Sequence, residues 1–309
     1  MNTDLIKSVV EKQMNTKVKQ VRVVGKGASG SVCLVKITTE PYEIAVKASR
    51  FYNAIYEEKN MLDFLSPKVS YRVPKTYFLH CEDGTTFLGM NYIKGMSGKS
   101  KYIKFVPSRK RLRNSIVDAF MNTQSVHNDK FGKYDNPIYD TWAEYYRNFF
   151  SNIYAFTKQK YEKNEIESEI MKAIELINKN FNEIFDVVDN TACLCHGDFW
   201  MPNLIIDFWK SELVGAVDPF DMLWAEPEYE LFCFTLKFGK KLKLYEEYKK
   251  RKPISKYCDL KVELYALCNE LNWYILLGKM GHNYLLFRAK RLIKIMKEMG
   301  LKLEYESNQ

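Results

Sequence analysis

Two carboxylates and an amide on a short stretch of chain could together manage a phosphoryl group. Asp198 and Asn203 lie five residues apart in Cys195-His196-Gly197-Asp198-Phe199-Trp200-Met201-Pro202-Asn203, and Asp218 follows fifteen residues later. A carboxylate at Asp198 would orient an attacking hydroxyl and take its proton, while Asn203 and Asp218 would offer oxygens to a hard cation such as Mg²⁺. Asp218 ends the apolar run Leu213 to Val217, so a strand would deliver its carboxylate to the site. Phosphoryl transfer asks for little beyond such positioning and charge neutralisation. The competing reading makes these residues ordinary turn formers held by Asx hydrogen bonds.

Upstream, Gly25-Lys26-Gly27-Ala28-Ser29-Gly30-Ser31-Val32 has the spacing of a phosphate-covering loop, with Gly25, Gly27, Ser29, Gly30 and Val32 as candidate nucleotide contacts. Dinucleotide-binding turns share the spacing but open a helix, whereas here a strand, Ser31 to Ile37, follows; the pattern predicts a β-hairpin lid. Lys47 ends the apolar strand Ile44-Ala45-Val46 and needs an anionic partner if buried. Glu58 and Glu57 compete for that role. Helical periodicity places Glu58 with Ile55, Met61 and Leu62 on the apolar face and turns Glu57 outward, which favours a Lys47–Glu58 clamp on the phosphates of ATP or GTP.

The elements that must carry these residues are legible as patterns. Residues 1–17 have helical apolar spacing; 18–93 alternate as strands interrupted by one helix over 51–65. From 108 onward the pattern predicts helices over 108–127, 139–160, 163–186, 226–237, 241–250, 258–278 and 283–299, with short strands confined to 192–218. The expected class is α+β: a nucleotide-binding lobe over 1–93 built on a small antiparallel sheet, a hinge and linker over 94–107, and a mainly helical lobe over 108–309 carrying the catalytic loop and acceptor site.

Composition narrows the classes. The 309 residues are 46% hydrophobic and 15% aromatic, enough for two apolar cores. No long apolar run or secretory leader is seen, so a cytoplasmic protein with no membrane partner is expected. Seven cysteines in apolar patterns suit reduced core thiols, and Cys193-Leu194-Cys195 lacks a second ligand cluster. A formal charge of +9, concentrated in Lys99 to Arg113 and the C-terminal third, comes without a nucleic-acid-binding motif, and no nucleic-acid partner is expected. His196 is read as structural, because Asp198 already supplies a base, and His127 as a helix-end residue.

His196-Gly197-Asp198-Phe199-Trp200-Met201-Pro202-Asn203, then Val217-Asp218-Pro219-Phe220 and Glu226-Pro227-Glu228-Tyr229-Glu230, resembles the aminoglycoside phosphotransferase and fructosamine kinase branch of the protein-kinase-like superfamily. Val73-Pro74-Lys75, the stretch Phe87 to Gly95, Thr123 to His127 and Tyr139 to Phe150 extend the likeness over about 20–300. The resemblance implies a bilobal kinase-like fold. It assigns Asp198 as base, Asn203 and Asp218 as Mg²⁺ ligands, Lys47 and Glu58 as the phosphate clamp, and Asn91 and Ile93 as backbone contacts to the base, with Met90 lining its pocket.

Two departures are visible: all three loop glycines are present, and Asp218 is followed by Pro-Phe without a D-F-G glycine. A protein kinase is the rival, since Ala225 to Glu228 mimics A-P-E. It follows Asp218 by only seven residues, too few for an activation loop, and Gly197 replaces the arginine of H-R-D. The expected activity is therefore transfer of the γ-phosphate to a hydroxyl of a small polar acceptor: an aminoglycoside-type antibiotic or amino sugar, with a fructosamine or other metabolite kinase and a non-catalytic nucleotide-binding protein as alternatives. The acidic run Asp221, Glu226, Glu228 and Glu230 reads either as a cation-receiving surface or as a solvated helix start. Monomer and homodimer are both compatible.

Overall fold

The computed structural model describes residues 3–27, 30–186, 191–278 and 281–303. In chain order the elements are α1 (Thr3–Met14), β1 (Val18–Gly27), β2 (Gly30–Ile37), β3 (Glu43–Ser49), α2 (Tyr52–Leu65), β4 (Thr76–Glu82), β5 (Thr85–Asn91), β6 (Met96–Ser97), a 3₁₀ helix (Lys101–Phe105) and α3 (Arg109–Gln124). There follow β7 (His127–Asn128), β8 (Phe131–Lys133), β9 (Asn136–Tyr139), α4 (Trp142–Glu162), α5 (Ser168–Phe185), β10 (Ala192–Cys195), β11 (Leu204–Asp207), β12 (Glu212–Ala216) and β13 (Leu223–Ala225). A 3₁₀ helix (Tyr229–Thr235), α6 (Lys237–Leu242), α7 (Leu244–Arg251), α8 (Cys258–Leu277) and α9 (His282–Glu298) complete the chain.

These elements fall into two compact units, Met1–Thr123 with His196–Met222, and Gln124–Cys195 with Leu223–Gln309. The first holds an antiparallel sheet in the order β1-β2-β3-β5-β4 and a small sheet β12-β11-β6. Strand alternation divides the large sheet cleanly. Cys33, Val35, Val46, Ala48 and Phe87 face α1, whose Ile6, Val9 and Val10 are fully buried against them. Register then fixes the opposite face: Val32 pairs with Lys47, Lys47 with Leu88, and Ala45 with Met90. Segment 94–107, read as a linker, lies inside this unit and contains β6 and a 3₁₀ turn.

The second unit packs α4, α5, α8 and α9 around a core of rings, with a sheet in the order β7-β10-β13-β8-β9. A capping box between Thr141 and Glu144 starts α4 and sets Trp142 at its first position. Trp142 is fully buried; its Nε1 donates to the Tyr265 hydroxyl at 2.9 Å.

Two sequence expectations need correction. After residue 108 strands are expected only within 192–218, yet β7, β8 and β9 occupy the interval between the helices expected over 108–127 and 139–160 and take in the end of one and the start of the other. His127 is therefore a strand residue, paired with Cys193. The stretch expected as a helix over 226–237 winds mainly as the 3₁₀ helix Tyr229–Thr235. Both are segments of a few residues whose conformation is set by tertiary partners, where periodicity has too little length to act. All seven cysteines are thiols, six of them buried. Among the described residues no helix is long and apolar enough to cross a membrane.

Candidate active site

The sequence candidates converge within the first unit. Lys47 on β3 is 5% exposed, and its Nζ donates to Glu58 Oε2 at 2.5 Å and to Asp218 Oδ1 at 2.6 Å. Glu58 lies on the buried face of α2 at 6% exposure, whereas Glu57 is exposed; the one-residue step around the helix decides between them. Burial alone would lower the Lys47 ammonium, but the Glu58 and Asp218 carboxylates outweigh it and raise its pKa. Burial pushes Glu58 up to about 7 against the pull of Lys47. One cation serving two carboxylates leaves a net negative charge.

Asp198 sits on the loop after β10. The Asn203 amide nitrogen donates to Asp198 Oδ2 at 2.7 Å and to the Asp198 carbonyl at 3.1 Å, closing the five-residue spacing into a ring. Burial pushes Asp198 up to about 7, against the Asn203 hydrogen bond that lowers it. The Val217 N–H donates to the Asn203 carbonyl at 2.9 Å, which sets Asp218 next to Asn203. Asp218 itself adopts φ 60°, an uncommon conformation for a residue with a side chain. Both Asn203 side-chain bonds use nitrogen, which leaves its amide oxygen as an acceptor; that oxygen and the Asp218 carboxylate are the groups of this segment with the chemistry to hold a hard cation.

Residues around the loop explain its composition. Gly197 has φ 83°, and a Cβ there would lie 1.7 Å from the Phe220 carbonyl oxygen, so the segment after Asp218 excludes an arginine at this position. His196 is fully buried; its Nδ1 accepts the Asp198 N–H at 3.3 Å, and burial lowers its pKa to about 4, leaving it neutral and orienting. Phe199, fully buried, meets the rings of Tyr71, Phe120 and His196 and anchors the loop. Arg72 was not singled out in the sequence, yet its backbone bonds to Val214 and Ala216, stitching the segment before β4 onto β12. Phe199 had a signal, an apolar ring inside a polar motif; a backbone contact such as that of Arg72 leaves none.

The remaining candidates are placed as follows. β1 and β2 stay paired to Gly27 opposite Gly30, with Gly25 opposite Val32. Gly30 has φ 151°, and a Cβ there would approach the Ala48 carbonyl oxygen to 2.4 Å; at Gly25 the nearest atom would be at 3.7 Å and at Gly27 at 4.0 Å. Ser29 lies outside the described residues. Met90 is buried on the Lys47 face of the sheet. The Asn91 N–H donates to the Lys75 carbonyl at 2.9 Å, and its side-chain oxygen accepts from the Lys75 N–H. That donor is therefore engaged within the sheet, and the backbone groups left at the expected base contacts are the Asn91 carbonyl and the backbone of the buried Ile93.

The acidic run turns out to be neither of its two readings. In the second unit Glu226, Glu228 and Glu230 are at most 7% exposed. Lys261, 1% exposed on α8, bridges Glu226 at 2.7 Å and Glu228 at 2.6 Å. Tyr265 donates its hydroxyl to Glu226, and Ser255 bonds Glu228. Only Asp221 of the four is exposed. Trp224 is buried, its Nε1 donating to the Tyr134 carbonyl at 3.0 Å, which makes it a core residue.

Known proteins fit this geometry. The fructosamine kinase family model matches residues 1–298. Uncharacterized protein YcbJ of Escherichia coli (strain K12) is 22% identical over 184 residues; the match takes in 59% of this chain and only 61% of the length of YcbJ. Among solved structures, a putative fructosamine-3-kinase from Haemophilus somnus 129PT superposes with a TM-score of 0.69 at 16% identity, covering 93% of this chain and 96% of that one. Aminoglycoside phosphotransferase APH(4)-Ia gives a TM-score of 0.72 at 12% identity, covering 96% and 98%. The streptomycin–ATP ternary complex of APH(2")-IIa gives 0.67 at 20%, covering 98% and 99%. The fold is thus kinase-like, an antiparallel sheet followed by a helical part, and the chain belongs to the fructosamine kinase family.

Proposed function

We propose that this protein is a nucleotide-dependent small-molecule kinase that moves the γ-phosphate of ATP, or of GTP, to a hydroxyl of a sugar amine. The observation that carries this reading is the meeting of Lys47, Glu58 and Asp218 beside the Asp198–Asn203 pair. Lys47, held by Glu58, grips the nucleotide phosphates; Asp198 takes the proton of the acceptor hydroxyl; Asn203 and Asp218 hold Mg²⁺. Bound Mg²⁺ supplies charge neutralisation on the phosphate oxygens. The excess negative charge of the cluster favours such a cation. Gly25 and Gly27 have room for a Cβ within the protein, so their small size is best explained by the approach of phosphates to the hairpin.

The acceptor is a ketosamine in preference to a polycationic aminoglycoside. Glu226, Glu228 and Glu230 are buried, and the first two are taken up by Lys261, which withdraws these acids from solvent and so from a polycation. The family match points the same way. The aminoglycoside reading rests on the structural neighbours.

The test is turnover of nucleotide with a panel of ketosamines, aminoglycosides and simple sugar amines, with the product identified by its mass gain of one phosphate. Asp198→Ala should abolish acceptor-dependent turnover and leave nucleotide binding intact. Nucleotide binding without turnover on any acceptor would make the protein a non-catalytic binder, and turnover confined to aminoglycosides would reverse the choice of acceptor.

A further inference from the structure

The net charge of the chain is not spread over its surface. Residues 94–113 contain eight lysines and arginines and no acidic residue, while the remaining 39 basic residues face 38 acidic ones. One twenty-residue strip therefore accounts for nearly all of the formal charge of +9. Seven of its eight basic side chains are exposed, all but Arg113. Lys94 reaches Glu43 at 3.1 Å but stays 79% exposed.

The backbone sorts this strip into faces. A 3₁₀ helix repeats every three residues, so side chains three apart lie one above the other. In Lys101–Phe105 and the residue after it, Ile103 and Val106 point inward at 2% and 6% exposure. Tyr102 and Phe105 form an outward stripe at 54% and 62%, and Lys101 and Lys104 another. Each lysine lies over the following ring, Lys101 at 5.3 Å and Lys104 at 4.8 Å from the centroid. The turn is held at both ends: Ser100 Oγ accepts the Tyr102 N–H, and the Arg109 guanidinium donates to the Lys104 carbonyl at 3.0 Å.

A second element joins it. Ser108 N–H donates to Ser211 Oγ at 2.9 Å, which brings the β11–β12 turn alongside, and that turn carries Trp209 at 80% exposure beside Lys210. Three large rings are thus held out to solvent amid lysines and arginines, on backbone that is itself anchored. The adjacent groove is mixed in charge, with Asp118, Asp207 and Glu212 among its walls, so charge selectivity lies with the strip.

We propose that this face, the 3₁₀ turn 101–105 with the polybasic strip 94–113 and the Trp209 hairpin tip, docks the protein on an anionic lipid surface. Basic side chains are drawn to the negative leaflet, and tryptophan, tyrosine and phenylalanine enter the headgroup zone without needing a directed partner. This parts from the sequence expectation of no membrane partner, because the exposure of three rings is a tertiary fact. Single-stranded nucleic acid also pairs rings with basic charge, but it requires rings lining a groove that tracks a backbone. Here they stand on a helical turn and a hairpin tip.

The full-length protein would be sedimented with vesicles of phosphatidylcholine alone and of phosphatidylcholine containing phosphatidylserine. Binding is expected only to the second and should weaken with added salt. At about 1 kcal/mol per basic residue near the surface, Lys101→Gln with Lys104→Gln should weaken it roughly thirtyfold. Phe105→Ser with Trp209→Ser should weaken it too, and Lys294→Gln on α9 should not. Melting temperatures would verify that each variant is folded. The proposal is overturned if binding ignores phosphatidylserine, if the Lys101/Lys104 pair is without effect, or if an oligonucleotide binds through these residues while vesicles do not.

Discussion

Gly30 and Gly25 sit in one hairpin yet answer to different constraints. At Gly30 a Cβ would collide with the Ala48 carbonyl, so Gly30→Ala should cost about 1–3 kcal/mol of stability in a urea titration. Gly25→Ala meets only ordinary contact, and should fold normally while losing the thermal stabilisation given by ATP. Equal stability loss in both would remove the argument that Gly25 is small for a ligand. Asp198 gives a test by pH. Its carboxyl is deprotonated above about pH 4 in an unfolded chain, but only above about 7 in the folded one. Between those values the native state holds the extra proton, so this group makes stability fall as pH rises through the window and leaves it flat above. Asp198→Asn should therefore show a smaller loss of urea resistance between about pH 5 and about pH 8 in metal-free buffer, by on the order of a few kcal/mol. An unchanged difference would mean that Asp198 is not the proton-holding group. The residue types of this site were legible because each breaks an apolar pattern: a lysine ending a strand, a glutamate on the buried face of a helix, an aspartate closing an apolar run.

Elements were legible in proportion to their length. Helices α4, α5, α8 and α9 run for many turns and announce themselves by period, whereas β7, β8 and β9 span two to four residues and depend on pairing with β10, β13 and β8 respectively. The fate of the acidic run was hidden for a related reason: its partner Lys261 is 35 residues away from Glu226 in sequence and meets it only through tertiary packing. That triad makes its own prediction. Lys261→Met would leave Glu226 and Glu228 buried without their cation, at a cost of about 3–5 kcal/mol. The affinity for acceptor, measured at a temperature where the variant is folded, should be unchanged; a large rise in KM would return these acids to substrate recognition. Phe199→Ala should likewise cost about 3–5 kcal/mol, because it empties the ring cluster under the Asp198 loop.

For the whole molecule, the division into units matters more than the division into sequence blocks. Every side chain assigned to phosphate, metal or proton belongs to the first unit, which is assembled from two separate stretches of chain. The chain leaves that unit after Thr123, contributes a first stretch to the other, and comes back at His196. During synthesis on a ribosome, Lys47 and Glu58 therefore emerge long before Asp218, with nothing yet to oppose them across the site. A nascent polypeptide halted before residue 196 would carry the glycine hairpin without Asp198, Asn203 and Asp218, on which the proposed binding of metal and nucleotide rests. The proposed site would be completed abruptly, once the stretch through Met222 has cleared the exit tunnel and closed onto partners made much earlier.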